Sequence, residues 1–170
     1  GSILGPTLFN LMINDLLAKY PTTYAYADDT IVYTTGSSPK EVIEKAHVLI
    51  TSISQWYTKY NLTLNLSKTS FCMFTNRDTD LTSYNINITN TTIICQNHLT
   101  ILGITLDSRL TFTQHIDRIT SKANQLCYLF SKFRGYLNTQ QSVSTYKTII
   151  RPHLEYCSSL LLSTSIQHCK

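Results

Sequence analysis

Two adjacent carboxylates, Asp28 and Asp29, separate two short runs of β-forming residues, TTYAYA at 22–27 and TIVYTT at 30–35. They are the only charged residues in that stretch. Carboxylate oxygens are the donors that hard divalent cations require. Asp is equally a turn residue, because its short side chain bonds nearby backbone. On these residues alone both readings stand. Successive side chains of a strand point to opposite faces, so the two carboxylates are not expected to aim equally at one site. The five cysteines (Cys72, Cys95, Cys127, Cys157 and Cys169) are odd in number and widely spaced. They form neither a zinc pattern nor a disulfide framework, and a reducing compartment is expected. His115 adjoins an apolar helical seam and reads as structural.

The elements around the carboxylates follow from periodicity. Leu8, Phe9, Met12, Ile13, Leu16 and Leu17 make one apolar stripe, and Pro6 suits the first turn, so 6–19 reads as a helix ended by Pro21. The two β runs read as a hairpin turning on Asp28-Asp29 and closed by Gly36. Ser38-Pro39-Lys40-Glu41 is a capping box that opens a helix to about Asn61, with Val42, Ala46, Leu49, Ile53, Trp56 and Tyr60 inward. Strands are expected at 62–66, 70–75, 84–88, 91–95 and 99–106, with Gly103 marking a bulge or a close backbone approach. A second capping box at Thr111–Gln114 opens a helix to about Arg134, carrying Ile116, Ile119, Ala123, Leu126, Phe130 and Phe133 toward the core. Further helices are expected at 139–150 and 153–162, interrupted by Pro152. The front is thus mixed α and β, the back all helix, with the boundary near 108–110.

Composition bounds the class. Of 170 residues 42% are hydrophobic, enough for a core, and only 14% are charged, against roughly 25% in ordinary domains. Disordered, collagen-like and coiled-coil chains are excluded. No run of about 18 uninterrupted apolar residues exists, so no membrane span is expected. The apolar start carries Pro6, Asn10, Asn14 and Asp15 and has no basic leader, so a signal peptide is not expected. The net charge of +4 is uneven. Residues 1–110 hold 7 Lys/Arg against 8 Asp/Glu, whereas 111–170 hold 7 against 2. A basic back half fits either a solvated helix face or a polyanion partner.

Five segments have a recognisable order. Gly1-Ser2-Ile3-Leu4-Gly5-Pro6-Thr7-Leu8-Phe9 opens the first helix, and Tyr26-Ala27-Asp28-Asp29 reads Y-x-D-D. Leu64-Asn65-Leu66-Ser67-Lys68-Thr69 follows, then Leu102-Gly103-Ile104-Thr105-Leu106-Asp107 with Leu110, Phe112, His115 and Ile116, then Arg151 to Tyr156. Y-x-D-D alone is weakly specific; five segments in this order and spacing are strongly so. Together they resemble the reverse transcriptases of non-LTR (LINE-like) retrotransposons, with the first three segments similar to motifs B, C and D. The resemblance covers nearly the whole chain.

It implies an α+β fold: a partial polymerase palm over 1–109 (helix, Y-x-D-D hairpin, helix, small antiparallel sheet), then an all-helical thumb over 110–170. It implies RNA-templated DNA synthesis by two-metal nucleotidyl transfer in the parent protein, with Mg²⁺ (Mn²⁺ possible), an RNA template, a DNA primer or RNA–DNA duplex, and dNTP. By the same resemblance Asp28 is the firmer metal ligand and Asp29 the more peripheral. Lys68 acts near the pyrophosphate. Gly1, Ser2, Gly5, Tyr26 and Ala27 lie against template and nucleotide, and Arg118, Lys122, Lys132 and Arg134 against nucleic-acid backbone. A further carboxylate comes from motif A, which together with the fingers is expected upstream of Gly1. The isolated chain is therefore expected to be inactive. The alternative is a non-catalytic nucleic-acid-binding or relic fragment of a retroelement. An intracellular location, cytoplasm or nucleus, is implied.

Overall fold

A computed structural model describes residues 2–88 and 91–161. They form two compact units, Gly1–Met73 with Asp80–Gln96 and Phe74–Thr79 with Asn97–Lys170. Packing therefore divides the chain after Gln96, and a short stretch of the front half joins the back.

In the first unit, helix α1 (Gly5–Lys19) buries Ile13 and Leu16. Leu8, expected on the buried stripe, is largely exposed. Strands β1 (Thr23–Tyr26) and β2 (Asp29–Val32) pair antiparallel. Helix α2 (Pro39–Lys59) is capped by Ser38, whose hydroxyl accepts from the Glu41 N–H at 3.3 Å. The Glu41 carboxylate does not complete the expected box on Ser38. It accepts instead from the N–H and hydroxyl of Ser37, at 2.8 and 2.6 Å, and pairs with Lys45.

Helix α2 organises this unit because it is apolar on two sides. Ile53, Trp56 and Tyr57 pack with Ile13 and Leu16 of α1, and Ala25 and Val32 of the hairpin close over them. Ile43, Ala46 and Ile50 meet Ile86, Ile88 and Ile93 of a second hairpin, β3 (Asn85–Ile88) and β4 (Thr91–Ile94). Tyr57 is buried beside Trp56, whereas Tyr60, expected inward, is exposed. Tyr60 instead lies against Trp56, ring centroids 4.5 Å apart.

The strands expected at 62–66 and 70–75 do not form. Asn61 (φ +55) ends α2 in the left-handed region. Leu62 and Leu64 still turn toward the α1–α2 core and Leu66 toward the second hairpin. The backbone between them is tied locally around Asn65. Its carbonyl accepts from Lys68 N–H at 3.1 Å and Thr69 Oγ1 at 2.9 Å, and its side chain from Ser67 Oγ at 2.7 Å. Such local bonds compete with a strand ladder. Phe71 makes one isolated bridge, to Cys95.

In the second unit, the run 99–106 is not one strand but a hairpin, β5 (His98–Ile101) and β6 (Ile104–Asp107). Its turn is Leu102-Gly103, with φ +47 and +81. Two positive φ angles are the requirement of a type I′ turn, and they explain Gly103 better than a bulge does. The three hairpins are separate two-stranded sheets. Helix α3 (Thr113–Phe133) follows a left-handed Phe112 (φ +60) without the expected capping box. The Asp107 carboxylate instead orders the loop before the helix, accepting from the N–H groups of Arg109, Thr111 and Phe112 at 3.1, 3.0 and 2.7 Å. Phe133, expected inward, is exposed.

Helix α4 (Thr139–Thr145) begins with a true capping box between Asn138 and Gln141. It widens into a π-turn at Tyr146–Ile150 and continues as α5 (Arg151–Glu155). Pro152 does not interrupt the helix as expected. Proline lacks an N–H and crowds the carbonyl four residues back, and the π-turn just before it admits the ring. The break comes later, at Cys157 (φ +53), before α6 (Ser158–Leu161). Residue 162, the expected end of the last helix, and Cys169 lie outside the described residues. No described helix is long and apolar enough to cross a membrane.

Candidate active site

The register of the first hairpin decides where the carboxylates sit. Tyr26 pairs with Asp29. The two-residue turn is therefore Ala27-Asp28, one position earlier than the β runs suggest. Ala27 holds φ +51, the positive angle that glycine ordinarily supplies at the first turn position. Asp28 stands at the tip. Asp29 opens β2 on the face of Tyr24, Tyr26 and Ile31, while Thr23, Ala25, Thr30 and Val32 occupy the other face. Asp28 is thus a turn residue and Asp29 a strand residue. Both are exposed, without a hydrogen-bond or ion-pair partner among the described residues.

The tip is anchored from behind. Ala25 and Val32 pack on the α1–α2 core. The Tyr57 hydroxyl of α2 meets Thr30 Oγ1 at 2.6 Å. Tyr24 and Tyr33 stack on the outer face, centroids 5.9 Å apart and 19° from parallel. Sequence reading did not mark Tyr57 or Thr30; the spacing of four between Ile53 and Tyr57 was the available signal.

Carboxylate oxygens are chemically suited to Mg²⁺. Yet no group of three or more His, Cys, Asp or Glu side chains converges among the described residues. Asp15, the carboxylate on α1, is already engaged. It accepts from Trp56 Nε1 at 2.8 Å and Tyr60 Oη at 3.2 Å. These hydrogen bonds hold its carboxyl below the usual carboxylate range.

The other expected site residues are placed as follows. Lys68 is exposed in the Asn65-anchored turn. Ser2 and Gly5 meet at the start of α1, where Ser2 Oγ accepts from the Gly5 N–H at 3.2 Å. Gly1 lies outside the described residues. On α3, Lys132 sits over the Tyr128 ring, 4.9 Å from its centroid. Lys122 and Arg134 are exposed. Arg118 is committed to its own unit: its guanidinium donates to the Gly103 carbonyl and lies 3.2 Å from His115 Nδ1.

Residues 1–106 match the family model for reverse transcriptase (RNA-dependent DNA polymerase). This chain belongs to the reverse transcriptase family. It is 30% identical over 169 residues to the RNA-directed DNA polymerase from mobile element jockey of Drosophila melanogaster, covering 92% of this chain and 18% of that relative. The jockey polymerase of Drosophila funebris is 29% identical over 170 residues, with the same coverage. The probable RNA-directed DNA polymerase from transposon X-element of Drosophila melanogaster is 28% identical over 167 residues, again covering 92% and 18%. The reverse transcriptase chain thus spans about a fifth of the length of the curated relatives it matches. No solved structure matches it significantly. The α+β character of the chain fits a part of such an enzyme.

Proposed function

We propose that this chain is the rear part of a non-LTR retrotransposon reverse transcriptase, whose parent protein makes DNA on an RNA template from dNTPs by two-metal nucleotidyl transfer. The observation that carries the proposal is the hairpin tip. Asp28 and Asp29 are exposed carboxylates without partners among the described residues, on a turn anchored by Tyr57 and the α1–α2 core. Asp28 and Asp29 would supply oxygens to Mg²⁺ or Mn²⁺. When bound, the two ions stabilise the attacking 3′-oxygen and the leaving pyrophosphate. Exposed Lys68 donates a proton toward that pyrophosphate. Ser2, Gly5, Tyr26 and Ala27 border template and nucleotide. Lys122, Lys132, Arg134 and the outward donors of Arg118 contact phosphates without reading sequence. Residues 1–109 act as palm and 110–170 as thumb.

Two carboxylates do not complete a two-metal site, and the third comes from outside this chain. The isolated 170 residues are therefore inactive. Primer extension on an RNA template with Mg²⁺ or Mn²⁺ tests both parts. A longer protein that includes the upstream segment should extend the primer, and Asp28→Asn should abolish extension. Robust extension by the 170 residues alone, lost in Asp28→Asn, overturns the missing carboxylate.

A second reading, a non-catalytic nucleic-acid-binding relic, draws on the absence of a converging metal-ligand group among the described residues. Under it, an RNA–DNA duplex binds with strong salt dependence, and the upstream segment restores no activity.

A further inference from the structure

His115 is the most deeply buried ionisable side chain among the described residues, 2% exposed on the first turns of α3. Its Nδ1 faces two donors: the backbone N–H of Thr105 on β6 at 3.4 Å, and a guanidinium nitrogen of Arg118 at 3.2 Å. A ring nitrogen serving as acceptor carries no proton, so the proton is on Nε2. Arg118 also donates to the Gly103 carbonyl in the β5–β6 turn. The other carbonyl of that turn, on Leu102, accepts from the Tyr156 hydroxyl at 2.8 Å. The Leu102-Gly103 turn is thereby held from α3 and from the end of α5, and the α3 side of the hold converges on one unprotonated nitrogen.

We propose that His115 is a proton-operated latch: protonation at Nδ1 releases β6 and the β5–β6 turn from α3. A protonated Nδ1 cannot accept from Thr105, and it places a second positive charge against Arg118. Burial, and then the Arg118 charge, push the His115 pKa down. The sign follows. The unfolded chain takes up this proton first, so the latch contributes fully above the ordinary histidine range and is lost as pH falls below it. Other charged groups on the surrounding elements are placed elsewhere. Asp107 on β6 accepts backbone N–H groups. Arg151 and Glu155 on α5 pair with each other at 2.6 Å. Asp117 and Lys122 on α3, Lys147 in the π-turn and His98 on β5 are exposed. The latch does not depend on the polymerase reading.

The test uses the full 170-residue chain with residue-resolved NMR. His115 titration is followed with labelled histidine, and amide protection at Thr105 by hydrogen exchange between pH 7.5 and 5. Protection factors at Thr105 should fall at least tenfold as His115 protonates. His115→Asn keeps an acceptor near Nδ1 but takes no proton, and should hold its protection constant over the same range. Should His115→Asn not fold, Arg118→Met replaces it, and both the titration and the loss of protection should move to higher pH. Protection that persists after His115 is protonated, an equal loss in His115→Asn, or an unmoved titration in Arg118→Met overturns the latch.

Discussion

The Tyr57 hydroxyl lies 2.6 Å from Thr30 Oγ1, joining the third-to-last residue of α2 to the residue that follows Asp29. The aspartate tip is therefore held by a side-chain bond as well as by packing. Tyr57→Phe removes that bond and keeps the ring. Stability should fall by about 1 kcal/mol, the usual net worth of one hydrogen bond. Denaturant titration of the chain reads this, and Thr30→Val should cost a similar amount. A double variant no worse than either single one would confirm that the two residues act together.

Ala27 occupies the left-handed region at φ +51. A side chain there costs roughly 1–2 kcal/mol, partly offset by the greater freedom glycine loses on folding. Ala27→Gly should therefore stabilise the hairpin by about 0.5 kcal/mol. A higher melting temperature checks this.

Leu102 precedes Gly103 in a turn where both residues have positive φ. Asn-Gly is the favoured pair for such a turn. Leu102→Asn should raise stability by about 0.5 kcal/mol while keeping the carbonyl that receives Tyr156. A loss of stability would show that the leucine side chain contributes more than the turn conformation costs.

Asp107 holds the loop that leads into α3. Burial raises its pKa, but hydrogen bonds from Thr111, Phe112 and Arg109 outweigh that and lower it. Asp107→Ala should cost about 1–2 kcal/mol, as loss of hydrogen bonds to a charged group does. The wild-type contribution is present above the usual carboxylate range and fades as pH falls below it. A flatter acid limb of the stability curve in Asp107→Ala is the reading.

Asp15 offers an optical report on the first unit, because Trp56 is the chain's one tryptophan and donates to it. Its lowered pKa means the bond is intact at neutral pH and weakens only below the usual carboxylate range. Trp56 emission should shift in that acid window, and Asp15→Asn should remove the shift.

Much of this was legible in the residues. The helices at α1, α2 and α3 follow from apolar spacing, and the hairpin around the aspartates from two β-rich runs. The motif order pointed to the family that the family model and the relatives then showed. What failed has a common cause. At 62–66, alternation of apolar and polar residues signalled a strand, but alternation requires only that every second side chain be buried. Leu62, Leu64 and Leu66 achieve this against α2 and the second hairpin without a paired neighbour. At 99–106, a largely apolar run concealed a turn, because only Gly103 advertised it and Leu102 adopts positive φ without a glycine's freedom.

The sequence by itself determined which chemistry is present: two carboxylates, a following lysine, and a back half whose charge is carried mainly by Lys and Arg. Those are properties of residue types and their order, which folding does not alter. Tertiary structure alone decided the one-residue placement that puts Asp28 at the tip and Asp29 in the strand. Strand pairing is set by which faces can be buried, and here Ala25, Thr30 and Val32 had to meet α2. It also decided that Arg118 and Tyr156, distant in sequence from Leu102-Gly103, close on that turn. Such partners are fixed by packing between elements, which no local pattern records.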